Sequence, residues 1–119
     1  MNGHHGLVVH VTSDDERDWR MALRNLANLV NDDSVSTPPD AMRLVVNGPA
    51  VRFLLASAAD ADKVTRMTDA GVTVNACSNS LERFDHDPSD LVAGVEPIQS
   101  GVAEVLRAQK RGNDYLKLP

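Results

Sequence analysis

The chain reads as a single α/β domain of three layers, with a five-stranded, mainly parallel sheet between helices on its two faces. Three observations predict this. Short apolar runs alternate with amphipathic stretches from one end of the chain to the other, which is the pattern of successive strand–helix units joined by right-handed crossovers. The first run, Leu7-Val8-Val9-His10-Val11, is nearly continuous in apolar residues instead of alternating, as in a strand covered on both faces. The length of 119 residues suits one domain, residues 1–119, with one substantial core.

After the first strand, Thr12-Ser13-Asp14-Asp15 supplies capping residues and acidic charge for a helix. Trp19, Ala22, Leu23, Leu26, Ala27 and Val30 then recur at three- and four-residue spacing and form one apolar stripe. Asn31-Asp32-Asp33-Ser34 ends that helix, and Ser36-Thr37-Pro38-Pro39-Asp40 cannot continue it. Met42-Arg43-Leu44-Val45-Val46-Asn47 is the second strand, closed by a Gly48-Pro49 turn. Pro49 suits the first turn of a short helix over Ala50 to Ala56. A further helix is capped by Asp60, turns Ala61, Val64 and Met67 inward, and stops at Gly71. The third strand, Val72 to Ala76, leads to Cys77 and a short helix from Ser78. The polar stretch Phe84 to Asp90 is a loop with one helical turn after Pro88. A brief fourth strand, Val95-Glu96-Pro97-Ile98, follows it. The last helix runs from Gly101 to Arg111 with Val102, Val105 and Leu106 inward, and Tyr115-Leu116-Lys117-Leu118 is the fifth strand.

Composition excludes several functions. The net charge of −5 argues against a nucleic-acid surface, which needs clustered Lys and Arg to displace counterions. No apolar run approaches the ~20 residues that span a bilayer, and Met1 to Gly6 is not a secretory signal. The single cysteine rules out an internal disulfide and fits a reducing, cytoplasmic setting. No strand is followed by a glycine-rich dinucleotide or triphosphate loop, so no cofactor is expected. His4, His5, His10 and Cys77 match no usual zinc spacing, so no metal is expected either. Trp19 and Met67 read as core residues. The pairs Asp14-Asp15 and Asp32-Asp33 read as a helix start and a solvated loop.

In a parallel sheet with helices on both faces, the reactive edge lies at the carboxyl ends of the strands. His10 to Ser13, Asn47-Gly48-Pro49 and Cys77-Ser78-Asn79 all fall there, and Cys77 is the one strong nucleophile among them. A thiol between a strand end and a helix start meets unpaired N–H groups that favour a thiolate. A lone cysteine is also often an inert, packed hydrophobe, and position leaves both readings open. Ser78 and Asn79 serve equally as plain helix caps. His10, within an apolar strand, reads more simply as a satisfied core or rim histidine than as a base.

The segment Gly71-Val72-Thr73-Val74-Asn75-Ala76-Cys77-Ser78-Asn79-Ser80-Leu81 resembles the cysteine-containing segment of the DsrE/DsrF-like sulfur-relay family. Asn47-Gly48-Pro49-Ala50-Val51 is similar to that family's loop after its second strand. Ser100 to Val105 and Tyr115-Leu116-Lys117-Leu118-Pro119 are similar to its last helix and terminal strand. The resemblance implies a flavodoxin-like fold and a cysteine, Cys77, that accepts sulfur as a persulfide and passes it between donor and acceptor proteins. Around it, Ser78, Asn79, Asn47, Gly48 and His10 would line the site. It also implies self-assembly as a trimer or hexamer. An independent motive for assembly is the apolar content of the short helix, with Val51, Phe53, Leu54 and Leu55. The competing expectation is a non-catalytic oligomeric binding or regulatory module of the same fold, with Cys77 merely packed.

Overall fold

The computed structural model describes residues 6–119; His4 and His5, named above as possible metal ligands, lie outside the described residues. Its sheet has five parallel strands, β1 (Leu7–Val11), β2 (Met42–Val46), β3 (Thr73–Cys77), β4 (Glu96–Ile98) and β5 (Asp114–Lys117), in the order β4-β3-β2-β1-β5. The helices are α1 (Glu16–Val30), α2 (Ala61–Ala70), α3 (Ser78–Arg83) and α4 (Gly101–Lys110). Among the described residues, no helix is long and apolar enough to cross a membrane.

The period-two pleat of the strands divides the interior into two unequal cores. On one face Leu7, Val9, Val11, Leu44, Val46, Val74 and Ala76 pack with Trp19, Ala22, Leu23 and Leu26 of α1, Val64 and Met67 of α2, and Leu81 of α3. Trp19 stacks on Phe53 with ring centroids 5.1 Å apart. On the other face Val8 and Val45 pack against Val105 and Ala108, with Ile98 at the border. A single helix, α4, supplies those two residues. The central strands are buried because both faces are covered. The edge strands β4 and β5 are exposed, and Pro97, which has no N–H to give a neighbour, sits in one of them.

Local signals set the helix ends. The Asp15 side chain accepts from the Arg17 and Asp18 N–H groups at the start of α1. Gly71 closes α2 at φ 112°, a left-handed conformation that glycine adopts without a Cβ clash. Asp60 does precede α2, but its carboxylate makes no capping bond. It pairs with Arg20 (3.2 Å) and Lys63 (3.4 Å) instead.

Three expectations are corrected here. The segment after Pro49 is a 3-10 helix over Gly48–Leu54, and Val51, Phe53 and Leu54 are buried within the chain and Leu55 is half-buried, so they leave little surplus apolar surface for assembly. In α4, Val102 and Leu106 point outward, with 59% and 55% of their surface exposed. The inward stripe is Gly101, Glu104, Val105 and Ala108. The reason lies in the sheet beneath: β2 presents Arg43 to this face, and Glu104 turns inward to meet it at 3.4 Å. Arg107 (3.0 Å) and Arg111 (3.1 Å) bind the same carboxylate, and Arg43 also donates to the buried Asn75 side chain at 2.6 Å. Hydropathy alone favours Val102 and Leu106 inside; a half-buried guanidinium that needs a counter-charge sets the helix the other way.

Burial pushes the Glu104 carboxyl up, but its hydrogen bonds to Arg111 and Arg107 and the charge of Arg43 outweigh that and hold it below the usual carboxylate range. Its stabilising effect is therefore complete above the unfolded value and is lost as pH falls through the folded one. Glu104→Gln is expected to lower stability by about 1–2 kcal/mol at neutral pH, the range for charge-assisted hydrogen bonds whose guanidinium partners are partly exposed. Its urea midpoint should also vary less than that of wild type as pH falls below the ordinary carboxylate value of 4.5. Urea titrations of both proteins across that range provide the check.

Candidate functional site

The loops after β1, β2 and β3 lead to helices on the larger-core face, whereas the loop after β4 leads to α4 on the other face. Neighbouring strands β3 and β4 thus send their chains in opposite directions, which opens a crevice at their carboxyl ends. Cys77 is the last residue of β3, and Gly101 opens the helix after β4. The thiol therefore lies where α3 and α4 both begin.

Close approach requires Gly101. A Cβ at that position would lie 2.9 Å from Asn47 Cβ and 3.3 Å from both Cys77 Cβ and Val45 Cγ1. Without it, the Gly101 N–H reaches the Cys77 sulfur. Two more N–H groups, those of Ser80 and Asn79, arrive from α3, and the Ser80 hydroxyl adds a fourth donor. Ser80 Oγ accepts from the Gly48 N–H at 2.7 Å, so a lone pair is occupied and its proton is left for the sulfur. Asn79 ties the two helix starts together: its Oδ1 accepts from Gln99 Nε2 at 2.9 Å and its N–H reaches the Gln99 carbonyl at 3.3 Å. Ser78 is half-buried as the first residue of α3; the N–H groups facing the sulfur are those of the residues after it.

Burial is the largest single influence on the thiol and pushes it up. The Ser80 hydroxyl and the N–H groups of Gly101, Ser80 and Asn79 together outweigh it, and the thiol titrates below its ordinary value. The sulfur is nonetheless almost closed off, since Cys77 keeps 5% of its surface.

His10 and Asn47 form the adjoining wall. His10 Nε2 donates to Asn47 Oδ1, which leaves Nδ1 to accept from the Tyr115 hydroxyl at 3.3 Å. Both ring nitrogens are thus engaged, as for the satisfied rim histidine the strand pattern favours. The structure brings Cys77, Asn79, Asn47 and Gly48 together directly, and His10 through Asn47. It adds Ser80 and Gly101, which the sequence reading did not place in the site. Ser80 was visible as a serine one turn into a helix after a cysteine. The role of Gly101 depends on a contact across 24 residues of chain and left no local signal. Among the described residues, no group of three or more His, Cys, Asp or Glu side chains converges to hold a metal ion.

Fold and site together define a doubly wound α/β protein with one hydrogen-bonded thiol at its topological switch point. No protein-family model and no curated protein matches the chain. Among solved structures it is similar to the protein of unknown function MTH1491 from Methanobacterium thermoautotrophicum, with 30% identity and a TM-score of 0.86 over 95% of this chain and 98% of that one. It belongs to the family of that protein. The ychN protein of E. coli (16% identity, TM-score 0.80, 95% and 98% covered) has the same fold. So does the conserved protein of unknown function BT1422 of Bacteroides thetaiotaomicron (18%, 0.64, 92% and 93%).

Gly101→Ala tests the cradle. The added methyl group must push α4 off Cys77 and Asn47, at a cost of about 1–3 kcal/mol for overpacking. The labelling midpoint of Cys77 with iodoacetamide across a pH series should move upward from the wild-type value. A variant with an unchanged midpoint would show that the α4 N–H does not set the thiol's acidity.

Proposed function

We propose that the protein is a sulfur carrier in which Cys77 accepts sulfur as a persulfide and hands it to an acceptor thiol. The observation that carries this reading is the placement of one cysteine at the sheet's switch point, where the starts of α3 and α4 close on it with Gly101 packed against its Cβ and the thiol is held below its ordinary value. The similarity of Gly71 to Leu81 to the cysteine segment of the DsrE/DsrF-like sulfur-relay family supports it independently. The cysteine thiolate attacks the outer sulfur of a donor persulfide; the new bond joins Cys77 Sγ to that sulfur, and the donor S–S bond breaks to release a donor thiolate, which takes a proton from water. An acceptor thiolate then attacks the same outer sulfur and regenerates the Cys77 thiolate. No net oxidation occurs, so the cycle needs no cofactor. The donors that stabilise the Cys77 thiolate stabilise it again as the leaving group in the second step.

In this proposal the partners are a sulfur donor protein, an acceptor protein and further copies of the chain in a trimer or hexamer, within the cytoplasm. Val102 and Leu106, one turn apart on α4 and exposed, are the apolar positions that assembly would cover. Light scattering should give a multiple of the 12.9 kDa chain mass at micromolar concentration, reduced in a Val102→Asp, Leu106→Asp double variant. A monomer mass for wild type removes the assembly claim.

The near-closure of Cys77 favours a second reading, a non-catalytic oligomeric binding or regulatory module in which the thiol is packed. Incubation of wild type and Cys77→Ser with a low-molecular-weight persulfide, followed by intact-mass measurement, separates the two. One added sulfur on wild type alone, released by a reducing thiol, is the expected result. No gain on wild type from any donor, together with a clearly lower melting temperature for Cys77→Ser, assigns the cysteine to packing.

A further inference from the structure

A cleft of about 280 Å³ runs along the seam between α1 and α2, and none of the residues around Cys77 lines it. Its floor is apolar: Leu23 and Met67 are buried, and Ala27 is half-buried. Its rim is basic on both sides, with Arg20 and Arg24 one turn apart on α1 and Lys63 and Arg66 on α2. A chain of net charge −5 thus sets four of its 12 Lys and Arg residues around one opening. Three carboxylates stand behind this rim, and none lines the cleft. Glu16 (3.3 Å) and Asp60 (3.2 Å) hold Arg20, Asp60 also holds Lys63, and Asp62 meets Arg66 at 3.7 Å in an exposed pair. Arg24 has no hydrogen-bond or ion-pair partner among the described residues, and its guanidinium is exposed.

We propose that this cleft binds a small amphipathic anion, a carboxylate carried on a short aliphatic or aromatic body. The body rests on Leu23, Ala27 and Met67, where apolar surface leaves water and the unbranched thioether adapts to its shape. The carboxylate meets Arg24, whose planar fork donates to both of its oxygens in a bidentate arrangement that no internal carboxylate occupies. An amine of the same shape meets the Arg24 guanidinium without a carboxylate on the cleft to receive it and is rejected. The site is separate from the thiol and does not depend on the sulfur-carrier reading.

The test is an amide-resolved NMR titration of the full chain with octanoate and, as the charge-reversed probe, octylammonium. Octanoate should give saturable shifts concentrated on the cleft residues of α1 and α2, and octylammonium at equal concentration should not. Arg24→Glu, at an exposed helix position that tolerates substitution, should weaken octanoate binding by about tenfold or more, the loss expected for one charge-assisted contact. Arg66→Glu should weaken it in the same direction. The proposal is overturned by shifts scattered over the surface, by comparable binding of octylammonium, or by wild-type affinity in both variants.

Discussion

Because the chains leaving β3 and β4 depart on opposite faces of the sheet, the first residues of α3 and α4 face one another across its carboxyl edge, and a position without a Cβ lets them close on Cys77. That contact organises much else. With Gly101 seated against Asn47, Val45 and Cys77, the angular setting of α4 is fixed. Glu104, Val105 and Ala108 then follow at three- and four-residue intervals onto the sheet. The same setting turns Val102 and Leu106 out to solvent. The steric allowance at the start of α4 and the pairing of Glu104 with Arg43 together determine which side of that helix is core.

The electrostatics of the site follow from this packing. A thiol this buried is ordinarily harder to ionise, and burial is indeed the largest influence on Cys77. Several donors overcome it because they come from two separate helix starts that converge on one atom, with a third segment orienting one of them. The α4 start gives the Gly101 N–H, the α3 start gives the Ser80 and Asn79 N–H groups, and the loop after β2 orients the Ser80 hydroxyl through Gly48. Each such bond is modest in water but counts for more where solvent is excluded. The site is thus built from backbone and small side chains, with no acid–base pair.

The two faces of the sheet solve different problems. The face under α1 and α2 is a continuous hydrocarbon core, anchored by Trp19 on Phe53. The face under α4 is thinner and partly polar, with Arg43, Asn75 and Glu104 linked in one hydrogen-bonded layer. A charged layer of this kind contributes little net stability but penalises other settings of the helix, which would strand a guanidinium without its carboxylate. The basic cleft on the opposite face belongs to the outer seam of the larger core, where helix side chains spread apart over apolar residues.

Much of this architecture was legible without coordinates. The continuous apolar run of β1, the stripe of α1, Gly71 at the end of α2 and the strand–cysteine–helix sequence around Cys77 are local patterns, and each governs its own segment through period, capping or turn chemistry. The setting of α4 was misread because hydropathy ranks Val102 and Leu106 above Glu104, and the guanidinium that reverses this ranking lies about 60 residues earlier on another strand. Gly101 left no signal for the same reason, since the residues it packs against, Asn47, Val45 and Cys77, are distant in sequence. The sequence by itself determined the strand–helix order and the position of the thiol at a strand end, because those depend on neighbours within a few residues. Only the tertiary structure decided the strand order, the opposed departures of β3 and β4, and the donors that meet at Cys77, because these depend on which distant segments pack side by side.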